Sequence, residues 1–130
     1  MNSGRLICCA ALTLFAGGCN TTTVTTKANT PVIVSALGMY SVSGCNSWEP
    51  PETTLTTRPT NGRVQTALKA FPITEKGHPC EGKVIDRRLV AYIPSAGFRG
   101  QDSFTMKYDF ITNDGGGRGT RQSTFIVDVK

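Results

Sequence analysis

The residues able to carry chemistry are few. The chain has one histidine, five cysteines and one tryptophan, so His78 is the sole imidazole available as a general base for a Ser-His-Asp or Cys-His arrangement. It sits in Lys76-Gly77-His78-Pro79, a turn-like stretch without a nucleophile motif, and reads as a surface histidine. Cys45, His78 and Cys80 formally make a metal set, but a structural zinc takes four ligands and a second Cys or His pair is missing. Glu49 and Glu52 flank Pro50-Pro51 in a loop, and nothing in their spacing places them across a cleft as glycoside chemistry requires. Gly115 to Gly119 with Arg118 has the composition of an anion-binding turn. Phosphate loops lead into a helix, however, and this one runs into Gln122-Ser-Thr-Phe-Ile-Val, a strand pattern, so it reads as a flexible hairpin loop. With no cofactor fingerprint either, the expected protein is not an enzyme and needs no cofactor and no metal.

The cysteines sort by position. Arg5 is the only charge before an apolar run from Leu6 to Ala16, and the run ends in Phe15-Ala16-Gly17-Gly18-Cys19. That is the pattern of a secretory signal, too short for a permanent bilayer span. The Ala-Gly-Gly-Cys ending resembles the lipobox of bacterial lipoproteins, whose cysteine is acylated and becomes the new N-terminus. The resemblance implies a leader over 1–18, a lipid on Cys19 and attachment to a membrane; ordinary cleavage with a free Cys19 is the plainer alternative. Asn20 stands where Asp would signal inner-membrane retention, so in a Gram-negative host the resemblance implies the outer membrane. Three acyl chains exceed the two signals that stable anchoring takes. Cys8 and Cys9 fall in the leader. Cys45 and Cys80 then remain in an exported chain, and a disulfide between them is the economical expectation. Closing that loop should contribute roughly 3 to 4 kcal/mol.

Residues 19–30 comprise Cys19 and a Thr-rich polar tract with one charge, Lys27. Without apolar periodicity it reads as a tether, about 11 residues reaching roughly 20 Å as a coil. Residues 31–130 make one domain, about the size of a single sandwich. Its short runs rich in β-branched and aromatic residues, separated by Gly, Pro, Asn and Ser clusters, predict an all-β antiparallel sandwich of about seven strands. Val32-Ile33-Val34 has an alternative as a run packed along the tether, and Gln65 to Phe71, with two alanines, has an alternative as a helical turn. The clearest strand is Asp102 to Phe110. Phe104, Met106, Tyr108 and Phe110 share one parity and Ser103, Thr105, Lys107 and Asp109 the other, which predicts one buried and one solvated face. Before it, Pro94, Gly97 and Gly100 punctuate a corner plugged by Phe98.

The residues Tyr92-x-Pro94-x-x-Gly97-Phe98-x-Gly100-x-Asp102-x-Phe104-x-x-x-Tyr108, then Asn113-Asp114-Gly-Gly-Gly and Thr124-Phe125-Ile126-Val127-Asp128-Val129, resemble the C-terminal half of bacterial cadherin-like and immunoglobulin-like tandem repeats. Thr57 to Val64 is similar to the turn that opens such domains. The resemblance implies an immunoglobulin-like sandwich and a binding or spacer role, here in a single copy. It also raises calcium, with Asp102, Asp109, Asn113 and Asp114 as oxygen ligands. The acidic linker and neighbouring repeat that complete such sites are missing, and Asp102 is expected to tie the corner instead.

Without the leader, which holds Arg5, 13 of the 14 basic residues remain against 9 acidic ones. That balance of +4 is scattered, and its densest cluster, Lys83, Arg87 and Arg88, is interrupted by Asp86. No nucleic-acid partner is expected. Trp48, beside Pro50-Pro51, either covers the disulfide, as a Trp does in immunoglobulin domains, or makes a contact. Trp48, Arg58 and Arg63 are the candidate partner contacts, since Trp and Arg are enriched at binding hot spots. The expected function is a lipid-anchored binding or structural module of the cell envelope, with an envelope or surface protein or polysaccharide as partner. The alternative is an inhibitor or accessory factor of an exported hydrolase.

Overall fold

A computed structural model describes residues 19–113 and 115–130. The expected leader over 1–18, and Asp114 of the calcium set, lie outside them.

The strands are β1 (Cys19–Thr26), β2 (Val32–Tyr40), β3 (Ser47–Trp48), β4 (Glu52–Thr57), β5 (Gly62–Pro72), β6 (Val84–Pro94), β7 (Gly100–Ile111) and β8 (Arg118–Val129). They form two four-stranded sheets, ordered β1-β8-β7-β4 and β3-β2-β6-β5. The protein is an all-β sandwich. Ladders are antiparallel except β1 on β8, which is parallel.

That exception corrects the tether. Residues 19–26 of the Thr-rich tract pair with β8, from Cys19 opposite Gln122 to Thr26 opposite Val129. Threonine is β-branched and suits a half-buried sheet surface. Val24 packs against the core, and Thr26 is buried with its hydroxyl donating to the Thr30 carbonyl at 2.9 Å. Low apolar content hid a strand whose propensity was high. Gln65 to Phe71 likewise belongs to β5, paired with β6 throughout, and takes no helical turn.

The main core joins Val90 and Tyr92 of one sheet to Phe104, Met106, Tyr108, Phe125, Val127 and Val129 of the other. Phe104, Met106 and Tyr108 are buried at 1%, 2% and 4% exposure, the parity their spacing predicts. The opposite face is less wet than expected. Thr105 is also buried, its hydroxyl 3.0 Å from that of Thr124 across the ladder. A carboxylate at Thr105 would lose that bond and enter a partly dry site, so the two faces differ less than the alternation implies.

The strand register gives the sandwich two ends. At one end β2, β5 and β7 begin while β1, β4, β6 and β8 finish; it is called the closed end below. There the Ala28 and Lys130 amides bond the Lys130 and Thr26 carbonyls at 2.8 Å, and Phe98 packs on the core as the corner's plug. At the opposite, open end lie the start of β1 and the connections from β2 to β4, β5 to β6 and β7 to β8.

Candidate functional site

Asp102 organises the closed end. Its carboxylate is 6% exposed and accepts from the Thr60 and Asn61 amides at 3.0 and 2.9 Å, from Ser103 N at 2.9 Å and from the Tyr92 hydroxyl at 2.8 Å. Tyr92 OH also lies 3.2 Å from the Asn61 carbonyl. Burial first, then the hydrogen bond and charge of Asp102, push the Tyr92 hydroxyl well above the ordinary tyrosine range. Gly62 is required beside this tie, because a Cβ there would meet the Tyr92 ring at 2.6 Å and the Ile93 carbonyl at 2.7 Å. The turn between β4 and β5 is therefore fixed from beneath, and it presents Arg58 exposed. Arg63 is exposed on β5 opposite Ile93 and lines a shallow groove of about 410 Å³ with Ser95 and Ala96.

The open end is built differently. Cys45 and Cys80 are bridged, with Cα atoms 5.4 Å apart, so the expected disulfide is present. It does not join the two sheets. It pins the connection between β5 and β6 onto one sheet, where Ile73, Cys80 and Ile85 form a second small core packed by Tyr40 and Cys45. Ile73 closes the connection by bonding both Lys83 and Gly82 at 2.8 Å. His78 is half-buried here rather than a free surface residue. Its Nδ1 accepts from the Cys80 amide at 3.0 Å and its Nε2 lies 3.3 Å from the Tyr40 hydroxyl, so the proton of the neutral ring belongs on Nε2. With both sulfurs bonded to each other, neither is a thiolate for a metal.

Trp48 does not cover the bridge; Tyr40 does. Trp48 pairs with Met39 and lines a groove of about 240 Å³ with Glu49, Ile111, Asn113 and Gly116. The glycine loop beside it is occupied by its own contacts. Asn113 Oδ1 accepts from Gly115 N at 2.9 Å and Gly117 N at 3.2 Å, and the Asn113 carbonyl accepts from Gly116 N at 3.2 Å, which uses the amides an anion would need. Asp109 lies at this end, bonded by Thr120 at 2.8 Å and 3.6 Å from Lys107, while Asp102 is at the other. Asp102 of the calcium set is thus apart from Asp109 and Asn113. Among the described residues, no group of three or more His, Cys, Asp or Glu converges as a metal site.

Between the sheets, the open end holds a groove of about 620 Å³ that the sequence did not reveal. Asn20, Thr21 and Thr22 line one side, Val34, Leu37 and Met39 the facing sheet, and Tyr108, Phe110 and Phe125 the floor. Among the described residues, the buried Tyr108 hydroxyl has no hydrogen-bond partner of good geometry. Burial raises its pKa, while Ser35 lies close enough to temper the rise without completing a bond. The signal that was missed is the bulge between Ile33 and Ser35, after which Leu37 and Met39 fall on the parity opposite to that counted from Val32.

The three candidate contacts fall at opposite ends: Trp48 at the open end, Arg58 and Arg63 at the closed one. Comparison of the chain with protein-family models, curated proteins and solved structures finds no match.

Proposed function

We propose that the chain is a lipid-anchored, non-enzymatic binding module of a bacterial cell envelope, acylated at Cys19 and built on an immunoglobulin-like sandwich. The leader pattern and the Ala16-Gly17-Gly18-Cys19 ending support the anchor. Strand order supports the fold type: setting aside β1 and β3, the sheets read β5-β6-β2 and β4-β7-β8, the D-E-B and C-F-G arrangement of immunoglobulin domains. The bridge departs from that pattern, since it lies on the outside of one sheet.

The observation that carries the functional reading is that Cys19 and Arg58 lie at opposite ends. A lipid on the first residue of β1 sets the open end against the membrane with no tether between. The Arg58 turn then projects away from it, already rigid through Asp102, which lowers the ordering cost of a contact. Arg58 and Arg63 fit acidic groups on an envelope protein or polysaccharide. In a Gram-negative host Asn20 favours the outer membrane.

The test has two parts. Labelled fatty acid should enter the wild-type chain and not Cys19→Ala, which should leave the membrane fraction. Arg58→Ala should reduce the recovery of cross-linked envelope partners from intact cells at unchanged protein level. Unchanged labelling of Cys19→Ala, or identical partner recovery, refutes the corresponding half.

A further inference from the structure

We infer that the inter-sheet groove at the open end is an acyl-chain site whose resident is one chain of the lipid on Cys19; this rests on the anchoring reading above. The groove is ligand-sized, about 620 Å³ against roughly 300 to 1,000 Å³ for small-molecule clefts. Apolar side chains of the two sheets face each other across it, with Asn20 to Thr22, Ser35, Ser123 and Arg121 at polar positions, and Leu37 is left 36% exposed although the strand register turns it inward.

Among the polar groups lining it is the buried Tyr108 hydroxyl. Tyr108 is 4% exposed and lines the groove, and among the described residues its hydroxyl meets no hydrogen-bond partner of good geometry, with the Ser35 side chain beside it. Buried hydroxyls are normally paired. The ester or amide carbonyl at the head of an acyl chain is an acceptor of the right kind, carried by an otherwise apolar ligand. Charge argues for a linked chain over a free fatty acid. Arg121 is the cation among the lining residues, and its guanidinium lies over the Phe110 ring, 5.9 Å from the centroid. A carboxylate would have to draw it away, whereas an ester or amide is neutral.

Proximity selects the occupant. Cys19 opens β1, and the next three residues form the groove's edge. A chain joined there meets the groove at a high effective concentration that no free lipid matches. One sheathed chain still leaves two in the bilayer, enough for stable attachment.

The experiment uses the full chain in living cells fed a diazirine-bearing palmitate. After irradiation and removal of non-covalent lipid, cross-linked peptides are mapped by mass spectrometry. Label on Cys19 should cross-link within the same chain to peptides containing Leu37 to Met39 or Tyr108 to Phe110. Leu37→Asp and Ser123→Phe, checked for an unchanged melting curve, should each lower that yield at least fivefold while label incorporation stays the same. If Cys19 carries no label, the anchoring reading itself fails and takes this occupant with it. If it is labelled but cross-links only to membrane lipid, or if both variants give the wild-type yield, the groove assignment alone is overturned. Equal labelling of groove peptides in Cys19→Ala would show an external chain in place and overturn the choice of occupant.

Discussion

The two ends of the sandwich are held by different physics. At the closed end one buried carboxylate accepts four hydrogen bonds and ties the turn between β4 and β5 to β6 and β7. At the open end the sheets part around a groove, and order comes from a covalent bridge that holds an external flap against one sheet. A hydrogen-bonded carboxylate fixes backbone and leaves no space. A bridge on the outside leaves the interior free to open. Rigidity and capacity are thus separated along the strand axis.

Asp102→Ala should have the largest effect, because it strips the acceptor from the Thr60 and Asn61 amides and the Tyr92 hydroxyl together. At about 1–3 kcal/mol for each unsatisfied buried group, and with some relaxation toward water, the expected loss is about 3–5 kcal/mol. A shift of the denaturant midpoint with unchanged slope would measure it. A loss below about 1 kcal/mol would mean that the closed end is held by its apolar contacts alone.

Replacing Cys45 and Cys80 together by Ala should cost about 2–4 kcal/mol and should loosen one end only. Hydrogen exchange should quicken at the Ile73, Gly82 and Lys83 amides, which the flap protects, while the Asn61 and Ser95 amides keep their rates. Uniform acceleration at both ends would show that the bridge supports the whole sandwich, and the separation would not stand.

Tyr92→Phe should cost about 1.5–3 kcal/mol, the range for a hydrogen bond to a charged group, and it carries a pH signature. The folded-state pKa of Tyr92 is raised, so above the unfolded value of about 10 the folded chain keeps a proton that the unfolded chain releases. Stability is therefore full below that pH and falls as pH rises beyond it. Tyr108 is shifted in the same direction. The substitution should remove one of the two contributions, about 1.4 kcal/mol per pH unit, and an unchanged alkaline slope would place the proton elsewhere.

The closed end was legible in the sequence because its signals are local. Phe104, Met106 and Tyr108 alternate, Asp102 sits at a corner between turn residues, and Phe98 is the one large apolar residue there. The disulfide followed from counting the cysteines outside the expected leader. The open end was not legible because it depends on pairings distant in sequence. A Thr-rich tract becomes strand only when β8 is beside it, and the bulge in β2 resets a parity that counting from Val32 gives wrongly. Disulfide cover, the immunoglobulin-like alternative for Trp48, fails because pairing with Met39 turns it toward the glycine loop.

Trp48→Ala should have the smallest effect on stability and the sharpest on orientation. Trp48 is only partly buried, belongs to a two-residue strand and stands outside both cores. Its loss should lower the melting temperature by a few degrees at most, the equivalent of about 0.5–1 kcal/mol. If the open end faces the bilayer, Trp48 sits at the interfacial depth where tryptophan is enriched. Its fluorescence in the membrane-reconstituted chain should then be quenched by brominated lipid, and Trp48→Ala should leave partner recovery unchanged while Arg58→Ala reduces it. Exposure of Trp48 to aqueous iodide, with no quenching by the lipid, would reverse the orientation and make the open end the partner-facing one. The two arginines would then lie toward the membrane, where anionic head groups rather than a protein or polysaccharide would be their counterparts.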